Sequence, residues 1–237
     1  MTSLQQRISN ADWIAIARQL NEQGYAHVPS VLTPDDCDQL KMEYDNDALY
    51  RKTVIMERYR FGKGEYRYFR YPLPDTVKIL RSELYPFLAP IANKWMDVLN
   101  KGIRFPASLN ELKTSCDEEQ QTLPTPLILR YGKGGFNTMH QDLYGKVFFP
   151  MQAVFILDEP LKDFQGGEFV LLEQIPRAQS KAIVLNPSKG DMVIFTTQFR
   201  PAKGTKGFYR VNMKHGVSEV RSGIRHSLGI IFHDATS

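Results

Sequence analysis

Cysteine is scarce in this chain of 237 residues, which contains only Cys37 and Cys116. Two cysteines are too few for a disulfide framework or a thiolate zinc cluster, so we predict two buried apolar side chains without redox chemistry. Long apolar runs are also missing: none approaches the roughly 20 residues that cross a bilayer, and the start, MTSLQQRISN, lacks the apolar stretch of a signal peptide. These absences predict a cytoplasmic protein with no membrane partner.

The sequence also lacks internal repeats, low-complexity segments and polar linkers. Nothing in it therefore requires a domain boundary, and we predict a single domain over residues 1–237. Its composition, with 42% apolar and 11% aromatic residues, is sufficient for a sizeable buried core.

Positive charge is unevenly distributed. The formal net charge is +4, but residues 51–72 and residues 198–214 each carry a net charge of about +5 when their Lys, Arg and Glu are counted. The rest of the chain is therefore mildly acidic. Two basic segments on such a body favour a surface that meets a polyanion, although a solvated basic loop is the alternative explanation for either segment alone.

The first half of the chain has helical patterns. Apolar residues at helical spacing predict a helix that follows Asn10 and stops at Gly24, and Thr33-Pro34 is typical of a helix start. That second helix should run to about residue 44, after a short strand over residues 25–32. A longer helical region over residues 75–100 should be broken or kinked near Pro86 and Pro90. A short helix is predicted over residues 110–120, within a long connection.

From residue 127 onward, short β-rich runs alternate with turns, and no helix of ten residues fits between them. The runs are LILRY, VFFPMQAVFIL, GEFVLLE, AIVLNP, DMVIF, FYRVNM and HSLGIIF. This pattern predicts antiparallel strands in a sandwich or barrel. We therefore expect a mainly β fold with flanking helices (α+β): a jelly-roll core over residues 127–237, packed by a helical N-terminal region over residues 1–126.

A candidate metal site follows the glycine-rich turn in RYGKGGFNTMHQDLYG. His140 and Asp142 stand two positions apart there, and His215 lies on a later predicted strand. Two imidazoles and one carboxylate on one face leave three coordination positions open, which suits non-heme Fe(II) with a bidentate cosubstrate and dioxygen. Further on, Arg225 and Ser227 share one side of a strand and could jointly hold a carboxylate, which favours a dicarboxylate ligand.

Together these residues resemble the Fe(II)/2-oxoglutarate dioxygenases of the double-stranded β-helix (jelly-roll) fold. The resemblance implies that His140, Asp142 and His215 hold the iron. It also implies that Arg225 and Ser227 bind the distal carboxylate of 2-oxoglutarate and that Tyr131 contacts this cosubstrate. The implied activity couples oxidative decarboxylation of 2-oxoglutarate, to succinate and carbon dioxide, with hydroxylation of a substrate by dioxygen.

A narrower resemblance concerns the substrate. Arg130-Tyr131, Gly134 and His140-Gln141-Asp142 look like the matching stretch of the alkylation-repair dioxygenases, and the whole chain is similar to a bacterial oxygenase family proposed to act on nucleic acids. The implied reaction is demethylation of alkylated DNA or RNA, as in DNA repair. Arginines and aromatics interleaved in a lid segment, and a second basic segment, are the predicted substrate contacts: Arg58, Arg60, Tyr66, Arg67, Tyr68, Arg70, Lys203, Lys206 and Arg210.

Some positions depart from the repair enzymes. Ile231 stands where they carry a second arginine, and Leu129 and Ser227 replace two asparagines. Gly166-Gly167-Glu168 looks more like the turn of prolyl hydroxylases, so a protein hydroxylase or a small-molecule hydroxylase is the alternative function. A non-catalytic jelly-roll binding domain is a third possibility. For residues 58–71 the alternative to a substrate lid is an amphipathic hairpin whose aromatics cover the core.

Overall fold

The computed structural model describes residues 2–237. Within them lie five α-helices: α1 (Leu4–Ser9), α2 (Trp13–Gln23), α3 (Pro34–Met42), α4 (Asp75–Val98) and α5 (Leu109–Glu118). The side chain of Asp12 caps the start of α2, and Gly24 ends that helix in the left-handed conformation that glycine adopts without strain. Thr33 forms a capping box at the start of α3. The signals at Gly24 and Thr33 thus act as predicted. Helix α1 was not predicted, and Asn10, after which α2 was expected to start, is the C-cap of α1.

Helix α4 is continuous, so the break predicted at Pro86 and Pro90 does not occur. Both prolines lie on the exposed side of the helix, while Leu84, Leu88 and Trp95 form a buried face. Each proline removes one hydrogen bond of the helix, on the side that does not pack against the core. Packing of the buried face therefore keeps the helix in one piece.

Fifteen β-strands complete the fold in residues 2–237: β1 (Tyr25–Val28), β2 (Tyr50–Ile55), β3 (Gly62–Lys63), β4 (Glu65–Phe69), β5 (Leu127–Tyr131), β6 (Phe136–His140), β7 (Met151–Ile156), β8 (Phe164–Gly166), β9 (Phe169–Gln174), β10 (Lys181–Leu185), β11 (Met192–Thr196), β12 (Phe199–Gly204), β13 (Gly207–Val217), β14 (Val220–Gly223) and β15 (Arg225–Ile231). The first sheet has the strand order β1-β11-β7-β15-β5-β4-β2, and the second has β10-β9-β13-β6-β3 with β12 beside β13. All strand pairs of these two sheets are antiparallel. The jelly-roll core with flanking helices is confirmed.

The strand β7 shows how the layers pack. All of its residues are buried, and they alternate between two cores. Ala153 and Phe155 face the helices in one apolar cluster, whereas Val154 and Ile156 face the second sheet in another. The seven-stranded sheet is therefore covered by helices on one side and by the second sheet on the other, which explains the uninterrupted apolar run of this strand.

The N-terminal region is less helical than predicted. Residues 50–69 contribute β2 and β4, which pair with each other and extend the first sheet beyond β5. Tyr68 packs with Val54 and Leu127 in a small apolar cluster. The amphipathic hairpin, left open as an alternative for this segment, is thus the closer description of its backbone. At the opposite edge, β1 is shorter than the predicted strand and pairs with β11.

Within residues 2–237, no helix combines the length and the apolar character needed to cross a membrane.

Candidate metal and cosubstrate site

The predicted metal ligands come from two neighbouring strands. His140 ends β6, and His215 on β13 is its direct partner across the ladder. The two imidazole rings lie 4.2 Å apart, centroid to centroid. Asp142 follows two residues after the end of β6, where the chain has left the sheet and its carboxylate can turn back toward both rings. Antiparallel pairing thus brings together residues 75 positions apart in sequence.

The donor atoms of these three residues face one another, with one ligand atom of each lying within 4.8 Å of the others. Asp142 Oδ2 is 3.1 Å from His215 Nε2, and Asp142 Oδ1 is 3.5 Å from His140 Nε2. The Nδ1 atom of His140 lies 2.7 Å from the Thr138 carbonyl oxygen and donates to it, which leaves Nε2 unprotonated when the ring is neutral. Two imidazoles and one carboxylate are the donor set of mononuclear Fe(II) oxygenases, so these residues fit that ion.

The environment controls the charge of the three groups. Burial opposes ionisation of Asp142, but the imidazoles of His215 and His140 hold the pKa of its carboxyl well below the usual range. Burial lowers the pKa of His215, and the nearby His140 lowers it further. Burial also favours neutral His140, but Asp142 and the Thr138 carbonyl outweigh it and raise the pKa of this imidazole. An ionised carboxylate beside a neutral His215 matches the states in which these side chains bind a metal.

The predicted cosubstrate residues lie together on the first sheet. Arg225 on β15 pairs directly with Tyr131 on β5, and its Nη1 donates to the Ser227 hydroxyl at 3.1 Å. Arg225 is only 1% exposed, and its Nε has no hydrogen-bond partner. Within residues 2–237, its guanidinium forms a side-chain hydrogen bond with Ser227 and no salt bridge with a carboxylate. A buried guanidinium without a counter-ion is costly. The position of Arg225 is therefore suited to binding an anion that enters the cavity.

A glycine gives this arginine its space. Gly167 has a positive φ of 63°, and a Cβ atom at this position would lie 2.8 Å from Arg225 Cδ. The turn at Gly166-Gly167 thus passes directly against the aliphatic stem of the arginine. The glycine pair noted in the sequence thus lets the backbone of this turn lie against Arg225, the residue predicted to bind the anion.

One cavity of about 230 Å³ joins the metal and cosubstrate residues. Its wall carries aromatic and apolar side chains from both sheets and from the segments that connect their strands, among them Met56, Phe61, Tyr66, Tyr68, Leu127, Leu129, Tyr144, Val154, Phe169 and Phe195. On one side the hydroxyl of Tyr68 donates to that of Tyr144, and Tyr144 donates to Asp142 Oδ1 at 2.9 Å. This chain of hydrogen bonds connects the aromatic wall with a predicted metal ligand.

The predicted substrate residues divide into separate groups. Tyr66 and Tyr68 line the cavity. Arg58 and Arg60 are exposed on the loop that also carries Phe61, where the rings of Tyr59 and Phe61 stack 5.5 Å apart. Tyr59 is 56% exposed and Phe61 is 45% exposed. This loop therefore presents charge and aromatic surface beside the cavity.

The structure does not bring Arg67 and Arg70 to the cavity. Side chains alternate along β4, so Arg67 faces away from Tyr66 and Tyr68. It forms salt bridges with Asp47 and Glu65, and the Nε of Arg70 donates to the Tyr50 carbonyl oxygen. Both arginines fasten β4 to its surroundings.

Lys203, Lys206 and Arg210 belong to the hairpin of β12 and β13 and are exposed. None of them lines the cavity. The guanidinium of Arg210 lies over the Phe199 ring, 4.6 Å from its centroid. Phe208 and Tyr209 are exposed on the same hairpin, so basic and aromatic side chains occur together here as well.

Several polar residues of the cavity were not predicted from the sequence, among them Asn137, Tyr144 and Gln152. Asn137 donates to the Tyr131 hydroxyl at 3.3 Å, Tyr144 binds Asp142, and Gln152 lines the wall. Tyr144 stands two residues after Asp142, a spacing that could have suggested it. Asn137 and Gln152 reach the cavity through the strand register, for which the sequence has no local signal.

Sequence comparison supports the assignment that the site suggests. Residues 64–235 match the model of a family, Oxygenase-NA, described as "Oxygenase, catalysing oxidative methylation of damaged DNA". An uncharacterized protein of Mycobacterium tuberculosis, Rv2227, is 42% identical over 167 residues, which are 70% of this chain and 72% of that relative.

The fold is also found in solved structures. A prolyl-4-hydroxylase of Pseudomonas putida superposes with a TM-score of 0.56 at 14% identity, over 95% of this chain and 100% of that one. An oxidoreductase of the 2OG-Fe(II) oxygenase family from Burkholderia pseudomallei gives a TM-score of 0.55 at 18% identity, over 96% and 95%. At such low identity these two matches establish the fold alone.

Proposed function

This chain belongs to the Oxygenase-NA family of Fe(II)- and 2-oxoglutarate-dependent dioxygenases, and we propose that it removes methyl groups from alkylated bases in nucleic acid. Its cofactor is Fe(II), and its cosubstrates are 2-oxoglutarate and dioxygen. The observation that carries the substrate proposal is the aromatic cavity beside the triad, in a chain that matches a damaged-DNA family over residues 64–235.

We assign the iron to His140, Asp142 and His215. Bound there with 2-oxoglutarate and dioxygen, Fe(II) supplies the oxidation of a C–H bond, with release of succinate and carbon dioxide. The protein side chains set the conditions for this chemistry. The Thr138 carbonyl fixes the orientation of the His140 ring, and Tyr144 donates to one oxygen of Asp142, which would orient this carboxylate for the ion.

Arg225, Ser227 and Tyr131 are assigned to the distal carboxylate of 2-oxoglutarate. The buried guanidinium without a protein counter-ion supports this assignment, since a carboxylate would supply the missing charge. Ser227 already accepts from Arg225, and Asn137 donates to the Tyr131 hydroxyl. The Tyr131 hydroxyl is therefore free to donate its own hydrogen to an anion.

The substrate base would enter beside the triad and lie against Phe61, Tyr66 and Tyr68. Aromatic side chains stack on bases without demanding a sequence. Hydroxylation of an N-methyl group gives an unstable hemiaminal that loses formaldehyde, so an oxygenase removes the methyl group that it oxidises. This is why we propose demethylation, although the family description speaks of oxidative methylation.

Contacts to the phosphate backbone are assigned to the exposed basic side chains of two segments. Arg58 and Arg60 lie on the loop beside the cavity, and Lys203, Lys206 and Arg210 lie on the β12–β13 hairpin. Each segment also exposes aromatic rings. Arg67 and Arg70 are left out of this assignment because neither lines the cavity. Arg67 is held by salt bridges with Asp47 and Glu65, and the exposed Arg70 donates to the Tyr50 carbonyl oxygen.

A protein hydroxylase is the second candidate. Its support is the similarity of fold to the Pseudomonas putida prolyl-4-hydroxylase, together with the Gly166-Gly167 turn. That turn has a local explanation here, the close approach to Arg225, which applies equally to either substrate.

The test is a turnover panel with the full chain, Fe(II), 2-oxoglutarate and ascorbate. The substrates are methylated single- and double-stranded oligonucleotides, proline-containing peptides and small metabolites, and the readouts are formaldehyde and succinate. We expect formaldehyde from a methylated oligonucleotide in amounts that match succinate. The Asp142→Ala variant serves as the inactive control.

Succinate formed in stoichiometric amounts only with a peptide or a metabolite would replace this proposal by the second candidate or by a small-molecule hydroxylase. No succinate with any substrate class would favour a non-catalytic domain.

A further inference from the structure

One polar side chain of the cavity has no role so far. Gln152 on β7 is 3% exposed and lines the cavity, and its Nε2 has no hydrogen-bond partner within residues 2–237. Leaving a buried amide donor unsatisfied destabilises the folded state. Such groups are rare in native proteins, and each one requires an explanation. A ligand that accepts this hydrogen bond is one such explanation.

The position of Gln152 relates it to the predicted metal. Gln152 pairs directly with Phe195 on β11 and with Ile231 on β15. Residues paired across antiparallel strands share a face of the sheet, so these side chains project together. The Phe195 ring lies 4.8 Å from the His215 ring, centroid to centroid. Gln152 is therefore on the wall of the sheet that faces the metal ligands.

Arg225 lies at the other end of the same wall. It precedes Ile231 by six residues along β15, with Ser227 and Gly229 on the same face between them. A dicarboxylate whose far end met Arg225 would extend along this wall toward Gln152 and the triad. A carboxylate oxygen placed there and not taken by a metal would need a hydrogen-bond donor.

Two other polar side chains near the triad, Gln141 and Tyr144, are already engaged. The Nε2 of Gln141 donates to the carbonyl oxygens of Gln198 and Met213, and the hydroxyl of Tyr144 donates to Asp142. The Nε2 atom of Gln152, in contrast, has no hydrogen-bond acceptor within residues 2–237 and is available to a ligand.

We propose that the Gln152 amide donates a hydrogen bond to the carboxylate of 2-oxoglutarate that adjoins its keto group. Arg225 and Gln152 then hold opposite ends of the cosubstrate and fix its direction in the cavity. This inference rests on the iron and cosubstrate assignments of the proposed function. It does not depend on the identity of the substrate.

The experiment is an equilibrium titration of 2-oxoglutarate into the Fe(II)-loaded full chain, without oxygen and without nucleic acid. The variant Gln152→Met keeps the size of the side chain and removes the donor. Loss of a hydrogen bond to a charged group predicts a dissociation constant about tenfold higher or more. Gln152→Glu should weaken binding further, because it places a carboxylate against a carboxylate. Gln174→Met, on β9 and outside the cavity, is the matched control and should bind like wild type.

A second readout separates ligand binding from a structural role. Since Gln152→Met removes an unsatisfied buried donor, the ligand-free variant should melt at the same temperature as wild type or higher. Added 2-oxoglutarate should then raise its melting temperature less than that of wild type. Unchanged 2-oxoglutarate affinity in Gln152→Met would overturn the proposal. A lower melting temperature of the ligand-free variant would also overturn it, because it would show that the amide of Gln152 stabilises the fold without the ligand.

The test of Gln152 is independent of the test of the proposed nucleic-acid substrate. If wild type binds 2-oxoglutarate but turns over no oligonucleotide, only the proposed substrate fails, and a weakened Gln152→Met still supports this inference. If wild type does not bind 2-oxoglutarate, the inference and the assignments beneath it fail together.

Discussion

At the scale of single residues, Tyr144 is the link between Asp142 and the cavity wall. Its hydroxyl donates to Asp142 Oδ1 and accepts from Tyr68. Groups that orient metal ligands in this way typically contribute 10- to 100-fold to metal affinity or activity. Tyr144 therefore has a defined positioning role that does not require contact with the ion.

We expect Tyr144→Phe to weaken Fe(II) binding by about 10- to 100-fold, because Asp142 loses its fixed orientation. Competition with a chromogenic chelator, without 2-oxoglutarate, measures this. Tyr68→Phe is the matched control, since it leaves the bond between Tyr144 and Asp142 intact, and its effect should be clearly smaller. Equal Fe(II) affinity in Tyr144→Phe and wild type would remove the positioning role.

His233 makes stability depend on pH. Burial, aided by the positive charge of Arg81, lowers the pKa of His233 to about 4, and its Nδ1 accepts from the backbone N–H of Phe149. The unfolded chain, with a pKa of about 6.5, binds a proton more readily than the folded one. This contribution is therefore complete above pH 6.5 and is lost as the pH falls toward 4.

Between pH 7 and pH 5, His233 alone should reduce the free energy of unfolding by about 2 kcal/mol. Urea denaturation of the metal-free protein at both values measures the change. His233→Asn keeps an acceptor for Phe149 and does not titrate. Between pH 7 and pH 5, its free energy of unfolding should therefore fall by about 2 kcal/mol less than that of wild type. Parallel losses in both proteins would show that His233 is not the titrating group.

At the scale of elements, the segment from β2 to β4 has two faces with different tasks. Tyr66 and Tyr68 face the cavity, whereas Glu65 and Arg67 face the other way and pair with each other. The loop between the strands carries the exposed Arg58 and Arg60. Within the basic segment of residues 51–72, Arg67 thus has a structural role, whereas Arg58 and Arg60 are accessible to a ligand.

Neutralising Arg58 and Arg60 together to Gln should weaken binding of a single-stranded oligonucleotide and reduce its salt dependence, because each phosphate contact releases a counterion. Each phosphate contact to a single strand contributes about 0.7 to the slope of log K against log salt, so the loss of two contacts should reduce the magnitude of the slope by about 1.4. Lys94→Gln removes an exposed charge on α4, away from the cavity, and should change neither quantity. An unchanged slope in the double variant would exclude this loop from the interface.

These elements also show how far sequence reasoning reaches. Local signals such as the caps at Thr33 and Gly24 place helix ends well, because they act within a few residues. The strand runs after residue 127 were predicted for the same reason. The strands of residues 50–69 were foreseen only as an alternative, a hairpin over residues 58–71, because their stability comes from pairing with β5, some sixty residues away.

The candidate site shows the same division. The triad and Arg225 could be picked out because their residue types and order form a pattern with chemical meaning. The orientation of Arg67 could not, since a shift of one residue in register reverses the faces of a strand. Gln152 was not predicted as a site residue for a related reason, because only its pairing with Phe195 brings it to the metal ligands.

At the scale of the whole molecule, a buried network fastens the helical layer to the sheet. Arg81 on α4 is 1% exposed and donates to the carbonyl oxygens of Ile231 and Phe232 and to Asp234. Tyr71 donates to the other oxygen of Asp234. The C-terminal end of the strand that carries Arg225 and Ser227 is thereby tied to the longest helix. The single-domain organisation remains a prediction from the sequence.

Arg81→Met should reduce the free energy of unfolding by about 3–5 kcal/mol, because Asp234 keeps a buried charge without its partner. Chemical denaturation measures the change. The double variant Arg81→Met with Asp234→Asn should recover part of the loss. A change below about 1 kcal/mol in the single variant would contradict this account of the network.

The central claim is that His140, Asp142 and His215 hold one Fe(II) ion, with 2-oxoglutarate seated between that ion and Arg225. Anaerobic titration of Fe(II) and then 2-oxoglutarate, followed by the visible charge-transfer absorption of the chelate, tests it most directly. We predict saturation at one equivalent in wild type, no absorption in Asp142→Ala or His215→Ala, and normal Fe(II) binding with at least about tenfold weaker 2-oxoglutarate binding in Arg225→Met. Full absorption in either triad variant, or none in wild type, would contradict the claim.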